Sequence, residues 1–169
     1  MRFQNIFKYV VSGLLVAASA WGQAPGAELQ GPAAGARLPE LTAPDAFTLV
    51  GSRSFLVDYP AVNAEDGTIN VVVEIPAGTA AKWEVDKGDG VLRWEFKDGS
   101  PRVVNYLGYP GNYGMVPRTL LAKEEGGDGD PLDALVLGPA LPRGAVVKAR
   151  VVGVLGLLDD GETDDKLIA

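Results

Sequence analysis

The segment GGDGDPLDALVLG, Gly126 to Gly138, places Asp128, Asp130 and Asp133 within six residues and then runs into an apolar, strand-like stretch. Carboxylates this close repel, and each resists ionising beside the others, so a chain that keeps all three needs a cation, or several, to neutralise them. Asp159, Asp160, Glu162, Asp164 and Asp165 form a second acidic group near Ala169. A solvated acidic turn is the commoner explanation of either group alone; two groups flanking strands favour a cation site. With no Cys and no His in the sequence, thiolate or imidazole metal sites, haem ligation, disulfides and Cys/His nucleophile pairs are excluded. Any metal must sit on oxygen, which selects hard cations such as Mg²⁺, Ca²⁺ or Mn²⁺. The spacing is wrong for an EF-hand loop, because Pro131 and Leu132 stand at its fourth and fifth positions. Pro131 stiffens the turn, which suits a preorganised site.

Further upstream, VVVEIPAGTAAKWEVDK ends one apolar run on Glu74 and carries Lys82 and Glu84 two residues apart, hence on one side of a following strand. An ordinary edge strand with a charged outer face explains that spacing equally well. In NYLGYPGNYGMVP, Tyr109 and Tyr113 lie between glycines and prolines. Aromatics in such a turn usually fill a small satellite core, although a phenol can also donate to an anion.

These residues need elements to position them. Short apolar runs at Thr48 to Val50, Ser54 to Val57, Ile69 to Ile75, Val91 to Phe96, Ala134 to Leu137 and Ala145 to Leu158 alternate with turn signals. The run lengths, 22 Gly and 12 Pro, and the lack of a long segment with helical spacing beyond the first residues predict strands arranged as a barrel or sandwich. Asp66-Gly67, Asp89-Gly90 and Asp98-Gly99 predict tight turns, the second of them inside a hairpin.

The 169 residues, 47% hydrophobic, suffice for one domain with a substantial core. Fifteen basic against 22 acidic residues give a net charge of -7, with no basic and aromatic interleaving, which argues against a nucleic-acid partner. Residues 1–20 carry Arg2 and Lys8, an apolar run from Tyr9 to Ala18 and the small triplet Ala18-Ser19-Ala20. That pattern predicts a secretory signal peptide, cleavage without a lasting membrane anchor, and a periplasmic or extracellular location. Residues 21–46, rich in Ala, Gly and Pro, predict a flexible lead-in, leaving 47–169 as the folded domain.

Taken together, VEIPAGTAAKWEVDK, GYPGNYGMVPRTL, DGDPLDALVLGP and VGVLGLLDDGETDDKLIA resemble the soluble, family I inorganic pyrophosphatases. Any one of the four segments would be weak; four in order over Val71 to Ala169 are specific. The resemblance implies a mainly β fold, an OB-like five-stranded β-barrel with few helices. It also implies hydrolysis of inorganic diphosphate to two phosphates with several Mg²⁺ ions, Mn²⁺ being an alternative, and it leaves a homo-oligomer open.

Residue by residue, Asp128, Asp133 and Asp164 match the family's metal-holding aspartates, and Asp159 matches one that serves a metal arriving with substrate. Asp130 matches the residue that helps turn a water into the nucleophile. Glu74 and Glu84 match glutamates that bind metal directly or through water. Lys82, Tyr113 and Lys166 match positions that contact phosphate or the charged site. For the family's arginine, Arg102 and Arg93 both stand at slightly shifted spacing, with Arg102 favoured because it begins RVVNYLGYP. In the family the chain continues past the Lys-Leu-Ile-Ala stretch, and here it stops at Ala169, so the resemblance implies a fragment or a truncated product. A reading from a different class is an extracytoplasmic β-module that binds divalent cations or phosphate without turnover; a purely structural barrel with acidic turns is a third.

Overall fold

The computed structural model describes residues 35–169. The expected signal peptide, 1–20, and the first part of the lead-in lie outside that range. The regular secondary structure of the described residues is almost wholly strand, and its helical content is one 3-10 turn at Lys123–Glu125.

Four strands, β1 (Leu41–Asp45), β2 (Thr48–Gly51), β4 (Trp83–Val85) and β5 (Leu92–Trp94), form an antiparallel sheet in the order β1-β2-β5-β4. A six-stranded sheet joins β3 (Ile69–Ile75), β8 (Asn112–Met115), β9 (Asp133–Val136), β10 (Val146–Ala149), β11 (Gly153–Leu155) and β14 (Lys166–Ile168) in the order β10-β3-β8-β9-β14-β11. Its pairs are antiparallel except β9 with β14, which run parallel. Two small hairpins complete the set: β6 (Phe96–Lys97) with β7 (Ser100–Pro101), and β12 (Leu158–Asp159) with β13 (Glu162–Thr163).

Alternation along β3 sorts the molecule into two faces. Ile69, Val71 and Val73 point into the curl of the six-stranded sheet, where Ala134, Val136, Ala145 and Val147 complete a core. Val72 points the other way, with Met115 and Val146, against Phe55, Trp83, Val85 and Leu92 of the second sheet region. Every residue of β3 is therefore buried, which is why Ile69 to Ile75 reads as an unbroken run. The result is a half-barrel of the OB-like kind the sequence implies. It has six strands because the three-residue β14 is inserted between β9 and β11.

Several expectations change. The lead-in ends before residue 46: Arg37 bridges Val146, and Leu41–Asp45 pairs with β2 across a bulge. Ser54 to Val57 is a turn, because the Ser54 amide donates to Asp58 Oδ2 (2.8 Å) and the Asp58 amide returns to the Ser54 carbonyl (3.1 Å). That turn drives Phe55 fully into the second core. The run from Ala145 to Leu158 breaks after Ala149, once pairing with β3 ends, and resumes at Gly153. NYGM, expected as a turn, is the strand β8 between β3 and β9. A Cβ at its Gly114 would lie 1.7 Å from the Val72 carbonyl oxygen, so only glycine lets the two strands pair there. The Asp89-Gly90 and Asp98-Gly99 turns do join β4 to β5 and β6 to β7.

Candidate active site

The face of the six-stranded sheet that carries Val72 and Met115 turns polar toward the end of β3. Glu74 follows Val72 by two residues, Tyr113 precedes Met115 by two, and Asp133 lies opposite both Met115 and Lys166 in register. Alternation thus delivers a buried carboxylate, a phenol, a second carboxylate and an ammonium group to one side of the sheet. Across from them the β4–β5 hairpin supplies Lys82, Glu84, Asp86 and Lys87, and a cavity of about 400 Å³ opens between the two. Its lining holds five carboxylates, Glu74, Glu84, Asp86, Asp130 and Asp133, against two ammonium groups, Lys82 and Lys87.

The loop bearing Asp128 and Asp130 is pinned from both sides. The Leu121 amide donates to the Asp130 carbonyl (2.7 Å), the Gly129 amide to the Leu121 carbonyl (2.8 Å), and the Leu132 amide to Thr119 Oγ1 (2.8 Å). Gly127 packs so closely on Leu121 that a Cβ would come within 2.6 Å of its backbone. Inside the loop the Asp130 amide donates to Asp128 Oδ1 (2.8 Å), an Asx-type turn that fixes one aspartate relative to the other.

Glu74 is 4% exposed, and its Oε1 accepts the Val85 amide at 2.7 Å. Burial pushes its pKa up to about 8; the Val85 amide opposes that shift, and the nearby Asp133 charge adds to it. Tyr113 donates to Asp133 Oδ2 at 2.5 Å, and burial together with the Asp133 charge holds the phenol firmly protonated. Lys166 contacts both Asp133 (2.5 Å) and Asp164. Burial lowers the Lys166 pKa, but the hydrogen bonds to these two carboxylates outweigh it and hold the ammonium form. Lys82 and Lys166 also lie over the Tyr113 ring, 5.6 and 5.9 Å from its centroid.

A sequence model described as inorganic pyrophosphatase matches residues 71–169, the part of the chain that builds this cavity. The chain belongs to the inorganic pyrophosphatase family. It is 44% identical over 126 residues to soluble inorganic pyrophosphatase 3 of Arabidopsis thaliana, covering 70% of this chain and 53% of that one. The type I inorganic pyrophosphatase structure from Toxoplasma gondii matches with a TM-score of 0.69 at 32% identity, over 76% of this chain and 66% of that one. A truncated vacuolar soluble pyrophosphatase of Trypanosoma cruzi, solved in complex with PPi, matches with a TM-score of 0.68 at 26% identity, over 90% of this chain and 71% of that one. The chain spans between 42% and 61% of the length of the curated relatives it matches.

Of the family-type residues, Glu74, Glu84, Lys82, Asp130 and Asp133 line the cavity together. Tyr113, Lys166 and Asp164 join them through Asp133, and Asp128 through the amide of Asp130. Three expectations are not met in the geometry. Asp159 stands exposed on the β12–β13 hairpin, opposite Glu162 and outside the lining, because the hairpin is tied down through Thr163 and Asp164 rather than through its tip. Neither candidate arginine lines the cavity. Arg102 Nη1 contacts both oxygens of Glu95 (2.8 Å each), while Arg93 grips Asp89 (2.7 and 2.6 Å) and approaches Asp86 (3.3 Å). Finally, Asp128, Asp133 and Asp164 do not converge on one point, and among the described residues no three acidic groups form a ready metal cage. Ammonium groups stand there instead, Lys87 on Asp130 and Lys166 on Asp133 and Asp164.

Sequence reasoning missed Asp86 and Lys87. Both lie in the quoted EVDK segment, but a lysine in a hairpin turn carries no sign of the aspartate it meets 43 residues away. It also missed Arg143, whose Nε donates to the Glu74 carbonyl (2.8 Å) while its guanidinium lies 4.5 Å from the Trp83 ring centroid. A divalent cation fits this donor set by its chemistry. The lining has a surplus of carboxylates over ammonium groups, its anionic groups all present oxygen, and the sequence has neither Cys nor His.

Proposed function

We propose that this protein hydrolyses inorganic diphosphate to two phosphates in a Mg²⁺-dependent reaction. The observation that carries the reading is the 400 Å³ cavity with its surplus of carboxylates, in a chain of this family. Negative walls alone would repel a polyanion, so the cavity suits diphosphate only together with cations. The PPi complex of the Trypanosoma cruzi relative supports the choice of substrate.

Asp133, Glu74 and Glu84, with Asp128 and Asp164 beside them, are the residues that would hold Mg²⁺, with Mn²⁺ as a substitute; Asp159 stands apart on its hairpin. When bound, the cation neutralises substrate charge and acidifies the attacking water. Asp130, on the cavity wall and oriented by Lys87 and by its amide contact with Asp128, is placed to accept the water's proton. Lys82 and Lys166, both over the Tyr113 ring, would donate to the phosphate that leaves, and the Tyr113 hydroxyl would orient Asp133 beside them. Glu74, anchored through Val85 beneath the hairpin, holds the two walls in register.

Phosphate release from diphosphate is expected with Mg²⁺ and not without it. Asp130→Asn should lower turnover by at least about a hundredfold while calorimetric Mg²⁺ binding persists. An unchanged rate would remove Asp130 from the chemistry. Folded protein that binds Mg²⁺ and diphosphate but releases no phosphate would make the chain a binding module.

We also infer export, supported by the basic start, short apolar run and Ala-Ser-Ala triplet of residues 1–20. Mass spectrometry of the protein recovered outside the cytoplasm should find a chain beginning at Trp21. Recovery only of a cytoplasmic chain that keeps residues 1–20 would count against export.

A further inference from the structure

The face of β3 that ends in the acidic cavity has another cavity at its opposite end. Asn70 and Glu74 lie on the same face four residues apart, about 13 Å along the strand. Around Asn70 the wall is built by β10 and by the turns before β3, enclosing about 440 Å³. Its charged lining is the reverse of the first: Arg37, Arg53 and Lys148, with no carboxylate. Three cations therefore converge in a chain whose net charge is -7.

These cations are held by separate parts of the fold. The Arg37 backbone is fixed by two hydrogen bonds with that of Val146, each 2.9 Å. The Arg53 guanidinium lies 4.6 Å from the centroid of Tyr59, whose ring stacks on the buried Phe55, and one of its nitrogens donates to the Asp58 carbonyl. Lys148 sits on β10 directly opposite Asn70. None of the three forms an ion pair among the described residues. Two carboxylates of neighbouring turns are engaged locally: Asp58 accepts the Ser54 amide, and Asp66 accepts both the amide and the hydroxyl of Thr68. Lys148 and Arg150 act on Asp66 only through space.

A cavity whose charged groups are all cationic, with the Arg53 guanidinium held by its stacking on Tyr59, is complementary to a multiply charged anion. Arginine forks suit phosphoryl oxygens, and the volume leaves room for more than a phosphate ion, with Tyr59 as a flat wall. We propose that this cavity is a second anion site, separate from the acidic one, which binds a phosphoryl group presented either by a small organic phosphate or by free phosphate.

Metal-free buffer isolates it, because the acidic cavity, with five carboxylates and two lysines, then disfavours anions. Titrating the full-length protein with AMP and with inorganic phosphate by calorimetry in that buffer at low salt should give saturable binding. AMP at least about tenfold tighter than phosphate would identify an organic phosphate, and equal affinities would identify free phosphate; either supports the site. Arg53→Gln and Lys148→Gln should each weaken binding by about tenfold, leaving thermal unfolding and Mg²⁺-dependent diphosphate hydrolysis unchanged. Lys148→Gln serves alone if Arg53→Gln disturbs its turn. No saturable binding, or binding undiminished in a folded Lys148→Gln protein, would overturn the proposal. Because the binding is read without metal and without turnover, loss of hydrolytic activity would leave its outcome unaffected.

Discussion

Glu74 is a carboxyl group buried between the six-stranded sheet and the β4–β5 hairpin, with one oxygen committed to the Val85 amide. Its pKa, raised from an ordinary 4.5 to about 8 by burial, fixes a sign for the pH dependence of stability. Between those values the folded protein keeps the proton that the unfolded chain has released, so in metal-free protein this group subtracts stability as pH rises from 4.5 to about 8. Glu74→Gln preserves the acceptor for Val85 and cannot ionise. Thermal unfolding of the variant, followed across that range without metal, should decline less with pH than the parent. Parallel curves would show that Glu74 is not protonated in the folded state. Lys166 carries the same sign in a more alkaline range. Its ammonium form, favoured by Asp133 and Asp164, stabilises the fold, and that contribution is lost as pH rises from the ordinary lysine value of 10.5 through its elevated pKa.

At the scale of elements, β8 is where the fold and the site meet. Gly114 keeps it against β3, and Asn112 ties its start to three loops. The Asn112 Oδ1 accepts the amides of Ala77 (3.2 Å) and Leu141 (2.7 Å), and its Nδ2 donates to the Pro139 carbonyl (2.9 Å) and, more weakly, to that of Val136 (3.4 Å). Asn112→Leu leaves those buried partners unsatisfied and should cost roughly 3 kcal/mol or more in denaturant unfolding. Gly114→Ala forces a methyl into a backbone carbonyl and should cost at least about 3 kcal/mol, displacing Tyr113 from Asp133. A Gly114→Ala protein as stable as the parent would mean that β3 and β8 do not pair as described. Neither role was legible in the sequence. Ile69 to Ile75 announced β3 because both its faces are buried, and Asp89-Gly90 announced a hairpin because its turn chemistry is local. NYGM has one large apolar residue, and Lys166–Ile168 has three residues and a charge, so both are strands only through their neighbours. Of the cavity's carboxylates, Glu74, Glu84, Asp130 and Asp133 were singled out in the sequence and Asp86 was not. The partners of Arg102, Arg93 and Lys87 were not legible, since choosing Glu95, Asp89 or Asp130 depends on which side chains the folded hairpins bring together.

On the scale of the whole molecule, β3 divides charge as well as apolar surface. One end of its outer face opens on a cavity with mostly carboxylates, the other on a cavity with only cations among its charged groups. The apolar cluster of Phe55, Val72, Trp83 and Met115 lies on that same face. The sequence has no cysteine, so an oxidising compartment would find nothing in it to convert to a disulfide. The parallel pairing of β9 with β14 bears on a different matter, the order in which the chain assembles. Lys166 reaches Asp133 over a sequence separation of 33, within which β10, β11 and a hairpin are built. Closing so long a loop is entropically slow, whereas the β4–β5 hairpin forms from near neighbours. The acidic wall contributed by the hairpin should therefore be in place well before the Asp133, Tyr113 and Lys166 cluster. Lys166→Met should accordingly accelerate unfolding far more than it slows refolding in stopped-flow kinetics, marking competence for chemistry as the last event of folding.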